Sequence, residues 1–489
     1  MSLTNQLKNQ HLLWRAGFGP AVEQLKDLSE YSHKQFFKAL VKASDKKPEF
    51  IDVADDYLKG LVMGFEEAGR QQRKELPADE RKKIQQKNRE GVRNLNMYWM
   101  HQMVNSAAQL REKMAFFWHG HFACRNLNIF YQQGLLDVIR VNALGNFRTL
   151  LKEVSKSAAM LNFLNNQQNR KDHPNENFAR EVMELFTLGR GNYTENDIKE
   201  AARAFTGWGA NVKGEFQFRR FQHDFGSKTV LGKSGNFDGE QVLDILLDEK
   251  QCARYITQKI YRFYVNDKMD NEKTEWLADR FYKNDYDILK LLEDIFTSDW
   301  FYEEKNIGSH IKSPVELLVG IQRMLPMKLE NEEALMLVQR VLGQLLFYPP
   351  NVAGWPGGKN WIDSSSLMMR MRLPMLINDR DEMNVRPKDD DDQMMGRPDD
   401  ADDPKGKAQQ MTRRAGKPIN ADVDWNIYLR HYESVPRESL AENISRTLLQ
   451  VKPEVSFETI TQYADQSGRE SFIKTVTMQI MSTPEYQLS

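Results

Sequence analysis

Apolar residues recur at helical spacing along most of the chain, and this pattern is the main guide to the fold. Two neighbouring segments place their apolar side chains about one helical turn apart, at Phe178, Val182, Leu185 and Phe186 and at Ile198, Ala201, Ala202 and Phe205. Such spacing predicts amphipathic helices. Thr194 and Asp197 form an approximate capping box for the second helix, and 188–192 supplies a turn between the two. The pair predicts a helical hairpin.

Further segments carry the same period, so a helical bundle is the default architecture. The additional faces are Ile256, Ile260, Phe263 and Tyr264, and, after a helix start at Ser313-Pro314, Val315, Leu318 and Ile321. Phe216 and Phe218 instead alternate with polar residues, which predicts a small β-hairpin insert at about 214–233. The predicted fold class is mainly α: a large helical bundle-like domain with that hairpin insert and long irregular loops.

Two irregular segments interrupt the helical pattern further on. Residues 349–358 are too rich in proline and glycine to continue a helix, and predict a fixed loop anchored by Trp355. Residues 386–421 carry aspartate clusters and predict a disordered acidic insert or linker. A solvated charge run is favoured there over calcium binding, since no EF-hand spacing is present. The predicted organisation is a main domain over 1–385, the insert, and a C-terminal helical segment over 422–489 that packs on the main domain.

Composition narrows the classes of function. The 68 lysines and arginines nearly balance the 69 aspartates and glutamates of this 489-residue chain, so no global field favours nucleic acid. Cys124 and Cys252 are far apart, which argues against a disulfide framework. No segment has the length of a membrane span or the pattern of an export signal. We expect a cytoplasmic protein, or a periplasmic or envelope protein if a signal has been removed.

The densest candidate chemistry lies in residues 111–124, where His119 and His121 stand among aromatic residues. In one continuous helix the two rings would point about 200° apart and could not bind the same ion. If Gly120 ends the helix, the rings can converge and a two-histidine metal site becomes possible. The competing interpretation is that both are structural histidines, and the sequence leaves these alternatives open.

Nine motifs resemble a family. They are HLLWRAGFGP at 11–20, FWHGHF at 117–122, NENFARE at 175–181, ELFTLG at 184–189, AFTGW at 204–208, HDFG at 223–226, GNFDG at 235–239, IKSPVE at 311–316 and NVAGWPG at 351–357. In this order they resemble the bacterial domain of unknown function 1800 family from about residue 11 to residue 370. The resemblance implies no established activity. It does imply an alkaline-phosphatase-like partner protein, encoded nearby, and a role in envelope or polymer metabolism.

Polar residues inside these motifs are the candidates for catalysis and metal binding. Glu181 lies at the edge of an apolar helix stripe, where a carboxylate needs an arginine partner, a metal or an acid–base role. His223 and Asp224 are adjacent in a loop. A metal site would take His119, His121 and His223 as ligands of zinc, manganese or iron, with Glu181 or Asp224 as general base. No two of these residues have the helical zinc-motif spacing, so the site would have to be assembled across segments.

A compact basic group around the same loop gives a second line of chemistry. Arg219, Arg220, Lys228 and Lys233 could hold a phosphate, sulfate or carboxylate, although scattered surface charge is the commoner explanation. We expect Arg219, Arg220, Lys228 and Trp355 to bind substrate. The favoured function is a metal-dependent hydrolase or oxidoreductase acting on an anionic or polymeric substrate. The alternative is a non-catalytic helical scaffold that works with a separately encoded enzyme.

Overall fold

Helices dominate the structure, a computed structural model that describes residues 4–68, 76–379 and 421–489. In the first half of the chain they are α1 (Asn5–Ala16), α2 (Asp27–Glu30), α3 (His33–Ser44), α4 (Asp56–Ala68), α5 (Ala78–Asn105), α6 (Gln109–His121), α7 (Ile129–Asn142), α8 (Phe147–Lys156), α9 (Ala158–Phe163), α10 (Asn177–Glu181) and α11 (Glu195–Ala204). The second half adds α12 (Gly239–Asp248), α13 (Lys250–Tyr264), α14 (Asn271–Lys283), α15 (Ile288–Phe296), α16 (Pro314–Met324), α17 (Glu333–Val341), α18 (Ser364–Asp379), α19 (Asn426–His431), α20 (Leu440–Leu448), α21 (Phe457–Gln462) and α22 (Arg469–Met481). The predicted mainly α class is confirmed.

Several predicted helix starts are confirmed by their caps. Thr194 and Asp197 form the capping box of α11, Ser313 and its partner Glu316 form that of α16, and Asp238 caps α12. The helix predicted from Phe178 differs in one respect. It is α-helical only to Glu181 and continues as a π-helix over Val182–Thr187. The wider turn shifts the side-chain register, and such turns are frequent at functional sites.

Six short strands form three antiparallel pairs in the described residues. They are β1 (Trp208–Ala210) with β2 (Phe216–Phe218), β3 (Lys228–Val230) with β4 (Lys233–Gly235), and β5 (Met327–Leu329) with β6 (Ala421–Val423). The region of the predicted insert therefore holds two successive hairpins. Phe216 and Phe218 pair with β1, the strand that precedes them in the chain. This is possible because the segment after α11 is already extended from Trp208.

The C-terminal segment packs against the N-terminal and central helices. Strand β6 pairs with β5, α22 contacts α18, and Ile311 and Leu488 form a β-bridge. The Gln10 side chain donates to the backbone of α20 at Arg446 and Thr447. The predicted acidic insert at 386–421 falls, up to residue 420, outside the described residues. No described helix is long and apolar enough to cross a membrane.

Candidate functional site

Helix α6 is continuous through Gly120, so the two histidines lie on opposite faces of one helix. One face carries Glu112 and His119, which are seven residues apart. The other carries Lys113, Phe117 and His121, which are four residues apart. The condition under which His119 and His121 would converge on one metal ion is therefore not met. The two faces have very different surroundings.

The face that carries Glu112 is closed, and its carboxylate is fully paired. The Glu112 carboxylate is completely buried and accepts hydrogen bonds from Arg140 Nη2 at 2.8 Å and Nε at 3.0 Å. It also accepts from the Trp99 indole at 3.0 Å and, weakly, from Arg111. A buried carboxylate with this many donors holds its neighbours in place. This cluster joins α5, α6 and α7 and is structural.

His119 belongs to the same closed face. Its ring lies 5.1 Å from Trp99, 5.0 Å from Phe347 and 5.4 Å from Trp355, with the last nearly parallel. Burial alone lowers the pKa of His119 to about 3, and its Nδ1 has no hydrogen-bond partner in the described residues. His119 is therefore neutral at physiological pH, and its role is to support the Trp355 ring.

The opposite face of α6 borders a cavity of about 370 Å³. Aromatic side chains form much of its wall, and a few polar groups converge on it, as is typical of ligand sites. The lining residues that matter below are His121, Lys259, Arg262, Asp267, His310, Glu316, Trp355 and Trp361. The structure thus places His121 and Trp355, both predicted as site residues, at one cavity.

His121 and Lys259 form a hydrogen-bonded pair on the cavity wall. His121 Nε2 lies 3.2 Å from the Phe186 carbonyl, and Nδ1 lies 3.2 Å from Lys259 Nζ. Since a carbonyl only accepts, Nε2 carries the proton and Nδ1 accepts from the Lys259 ammonium. Lys259 also donates to the Leu185 carbonyl at 3.3 Å. Both carbonyls belong to the π-helix, which thereby orients the pair.

The pKa values favour Lys259 as the titrating member of this pair. Burial, with a smaller contribution from the charge of Arg262, lowers the pKa of Lys259 to about 8. Burial and the Lys259 charge hold the pKa of His121 well below its usual value. His121 therefore stays neutral, while Lys259 exchanges its proton near physiological pH. A lysine that does so beside a cavity is a candidate acid–base group or nucleophile.

A second polar cluster forms another part of the cavity wall. Glu316 pairs with Lys113 from α6, accepts from the Ser313 backbone at 2.7 Å, and lies 3.4 Å from His310 Nε2. Burial raises the pKa of the Glu316 carboxyl, but Lys113 and His310 outweigh it and lower this pKa well below its usual value. Glu316 is therefore an ionised carboxylate at neutral pH.

Buried cations surround this carboxylate beyond the number needed to neutralise it. Arg15, Lys312 and Arg370 are each at most 1% exposed, and the charge of Glu316 acts on all three. Arg15 and Arg370 each keep two guanidinium nitrogens without a hydrogen-bond partner in the described residues. Burial lowers the pKa of Lys312 well below its usual value, so the two guanidiniums are the buried charges that favour an anion nearby.

The loop over 349–358 covers one side of the cavity. Gly354 adopts φ +82°, and a Cβ at this position would clash with the Gly120 carbonyl, so the loop lies directly on the end of α6. This contact and the stacking on His119 fix Trp355 at the cavity wall. The prediction of a fixed loop anchored by Trp355 agrees with this geometry.

Most of the other predicted site residues lie around the hairpins, and none of them lines the cavity. His223 is buried, with Nδ1 2.9 Å from the Thr206 carbonyl. Asp224 pairs with Arg203 at 2.7 Å, and this bond lowers the pKa of Asp224. Lys228 is also buried and donates to the Asp224 carbonyl at 2.6 Å. These contacts stabilise the loop and leave Asp224 poorly placed as a general base.

Arg219 and Arg220, predicted to bind substrate, and Glu181, predicted as a general base, also lie away from the cavity. Arg219 donates to the carbonyls of Gln167 and Ala210, and exposed Arg220 stacks on Phe225. Glu181 is half-buried and forms no hydrogen bond or ion pair with the described residues. Burial, reinforced by Glu184, raises its pKa. Arg180, its neighbour in the chain, pairs with Glu195, and Arg203 pairs with Asp224.

The predicted metal ligands are consequently not brought together. His119 contacts aromatic rings, His121 contacts Lys259, and His223 contacts Thr206. Over the ranges that the structure describes, no group of three or more His, Cys, Asp or Glu side chains is placed to hold a metal ion. The physical reason is the continuity of α6, which directs its two histidines to opposite sides.

A larger cavity of about 840 Å³ lies beside α2, α3 and the end of α5. Two of its charged lining residues are engaged by other groups. Arg323 donates to the carbonyls of Gly19 and Val104, and His101 contacts Glu332. The smaller cavity holds the paired His121 and Lys259 side chains and is therefore the better candidate site.

Sequence reasoning missed Lys259, Lys113, His310 and Glu316. A signal existed for the two lysines, because each interrupts an apolar helix face: Lys259 lies between Ile256 and Phe263, and Lys113 between Leu110 and Phe117. Glu316 was visible as the last residue of the IKSPVE motif and as the third residue of a helix start, and neither marked it as a site residue. His310 carried no signal, although its partner Glu316 is only six residues away in the sequence.

Comparison with known proteins identifies the chain at the level of its family. Neither a curated protein nor a solved structure matches it. One family model, described as "Protein of unknown function (DUF1800)", matches residues 11–488. This match extends beyond the motifs that ended near residue 370 and includes the C-terminal helices. Because the model covers nearly the whole chain, the protein belongs to the DUF1800 family.

Proposed function

We propose that the protein is an enzyme whose active site is the cavity beside α6, and that it acts on an anionic substrate by proton transfer through Lys259. The observation that carries the proposal is the 3.2 Å contact between Lys259 Nζ and His121 Nδ1 on the cavity wall. A side chain with a pKa near the working pH is the most effective general base.

The residues have distinct roles in this proposal. The neutral Lys259 amine accepts a proton from the substrate. The resulting ammonium is stabilised by His121 Nδ1 and the Leu185 carbonyl, which already accept from it. Arg262, one helical turn further along α13, offers a cation to the substrate anion at the exposed side of the cavity.

The cavity also supports a substrate class. Trp355 and Trp361 offer ring faces for an apolar substrate surface, and the buried cations behind Glu316 favour negative charge. A sugar ring bearing a carboxylate combines these two properties, in agreement with the anionic or polymeric substrate expected from the sequence.

The test is a conversion assay on matched oligosaccharides. Uronate-containing and neutral oligosaccharides of equal length are incubated with the wild-type protein and with Lys259→Met, and products are detected by mass spectrometry. We expect conversion of the anionic substrates only, lost in Lys259→Met and rising with pH through about 8. Conversion that survives in Lys259→Met would contradict the assignment of Lys259. The absence of conversion, with a partner protein captured instead, would favour the scaffold alternative.

A further inference from the structure

The end of β2 and the loop that joins it to β3 expose three phenylalanines. Phe221 is 92% exposed, Phe225 is 49% exposed and Phe218 is 45% exposed. The Phe218 and Phe225 rings both contact the His223 ring, at 5.1 and 4.7 Å between centroids. We define residues 218–225 as the aromatic loop. Large apolar side chains so exposed on neighbouring positions mark an interaction surface.

The backbone of the aromatic loop is fixed by hydrogen bonds. The Arg219 N–H donates to the Gly207 carbonyl at 2.7 Å, and the Lys171 N–H donates to the Gln222 carbonyl at 2.8 Å. The His223 ring is tied to the Thr206 carbonyl. Phe221 is therefore held outward by a constrained turn, so its exposure is built into the fold.

The charge around the aromatic loop is positive. Arg220 lies over the Phe225 ring at 5.4 Å, and Arg170 and Lys171 are exposed beside Gln222. Asp172 and Asp238 are exposed acids of this neighbourhood, and Asp224 pairs with Arg203, which also pairs with Glu200. The exposed cations Arg170, Lys171 and Arg220 outnumber these two exposed acids.

The shape and charge of the aromatic loop favour one kind of partner. Phe221 protrudes with 92% of its surface exposed, and the basic residues Arg220 and Lys171 are exposed beside it. A membrane interface needs only a few protruding aromatic side chains with basic residues at headgroup depth. We propose that the aromatic loop docks the protein on an anionic lipid surface, with Phe221 inserted and Arg220 and Lys171 facing the headgroups.

Vesicle co-sedimentation tests this proposal independently of the cavity. Wild-type protein, Phe221→Ser and Phe50→Ser are mixed with vesicles of phosphatidylcholine alone or of phosphatidylcholine with phosphatidylglycerol. Phe50 is the matched control, because it is 51% exposed and lies outside the aromatic loop. We expect the wild type to bind only the anionic vesicles, and Phe221→Ser to reduce this partitioning about tenfold with Phe50→Ser unchanged.

Three outcomes would overturn the proposal. The first is a wild type that binds neither vesicle, and the second is an equal loss in the two variants. The third is self-association through the loop, seen in sedimentation velocity as a wild-type dimer that Phe221→Ser dissociates. An Arg220→Gln, Lys171→Gln variant separates the contributions, because we expect it to weaken binding to anionic vesicles at low salt most strongly.

Discussion

The two faces of α6 hold similar residue types and do different things. Both bury a glutamate-centred ion pair, Glu112 with Arg140 and Glu316 with Lys113, and both include a histidine among aromatic rings. On the first face the carboxylate is fully paired and the histidine, His119, has only aromatic neighbours. On the second, cations outnumber the carboxylate, and His121 meets Lys259 at a cavity.

This difference separates structural from functional polar groups. A buried polar network whose donors and acceptors are satisfied stabilises the fold. A network with surplus charge and unpartnered donors next to a cavity destabilises the fold unless something else uses it. Residue type alone did not distinguish the two, since His119 and His121 are only two positions apart in the sequence.

Removal of a cation from the closed face should have the largest effect on stability. Arg140→Met leaves the buried Glu112 carboxylate with the hydrogen bond from the Trp99 indole and a weak contact to Arg111. We expect the free energy of unfolding in urea to fall by about 3–5 kcal/mol. Arg254→Met, which breaks the exposed pair with Glu275, is the control and should cost under about 1 kcal/mol. Equal losses in the two variants would show that the closed face is not a structural centre.

The matching substitution on the cavity face should cost less. In Lys113→Met, Glu316 retains the Ser313 N–H, His310 and the field of Arg15, Lys312 and Arg370. We expect a loss of about 1–3 kcal/mol in the same urea measurement. A loss as large as that of Arg140→Met would mean that the other cations do not stabilise the Glu316 carboxylate once Lys113 is removed.

The two histidines provide a smaller and more specific contrast. His119→Phe keeps the aromatic contacts of a ring that is already neutral, so we expect a change in unfolding free energy below about 1.5 kcal/mol. His121→Phe removes the acceptor for Lys259 and the donor to the Phe186 carbonyl, and should cost more. A larger loss of unfolding free energy in His119→Phe than in His121→Phe, measured in urea, would contradict this prediction.

The pH dependence of stability gives the finest test. Below about pH 8 both the folded and unfolded states keep the Lys259 proton, and the buried charge destabilises the folded state. Between about pH 8 and the ordinary lysine pKa of 10.5, the folded state has released the Lys259 proton and the unfolded state still binds it. The stability of the wild type therefore rises with pH over this range. We expect Lys259→Met to be at least as stable as wild type at pH 7, with the gain shrinking as pH rises. Thermal unfolding at several pH values measures this, and a gain that grows with pH would contradict it.

Much of the fold follows from local sequence signals. The caps at Thr194, Asp238 and Ser313 act within one helical turn, so periodicity and capping residues locate those helices. The strand partner of Phe216 and the π-helix over Val182–Thr187 were not foreseen, because both depend on contacts with other segments.

The candidate site was predictable only in part. His121 and Trp355 stood out because polar or aromatic residues in unusual local settings are visible in one dimension. Lys259 is 138 positions from its partner His121, and Glu316 is 203 positions from Lys113. Pairings across such separations are set by tertiary packing. The predicted metal set failed to assemble for the same reason, since its members were grouped by chemistry and not by position.

The most direct test of the account is the titration of Lys259 itself. Competitive acylation with acetic anhydride over a pH series, read by peptide mass spectrometry, gives the reactivity of each lysine. Lys305 is the internal control, because it is exposed and its hydrogen bond to Glu303 raises its pKa. We predict that Lys259 titrates near pH 8, well below Lys305, and that an anionic probe such as glucuronate protects it where glucose does not. Lys259 titrating together with Lys305 would contradict the assignment of the cavity as an acid–base site.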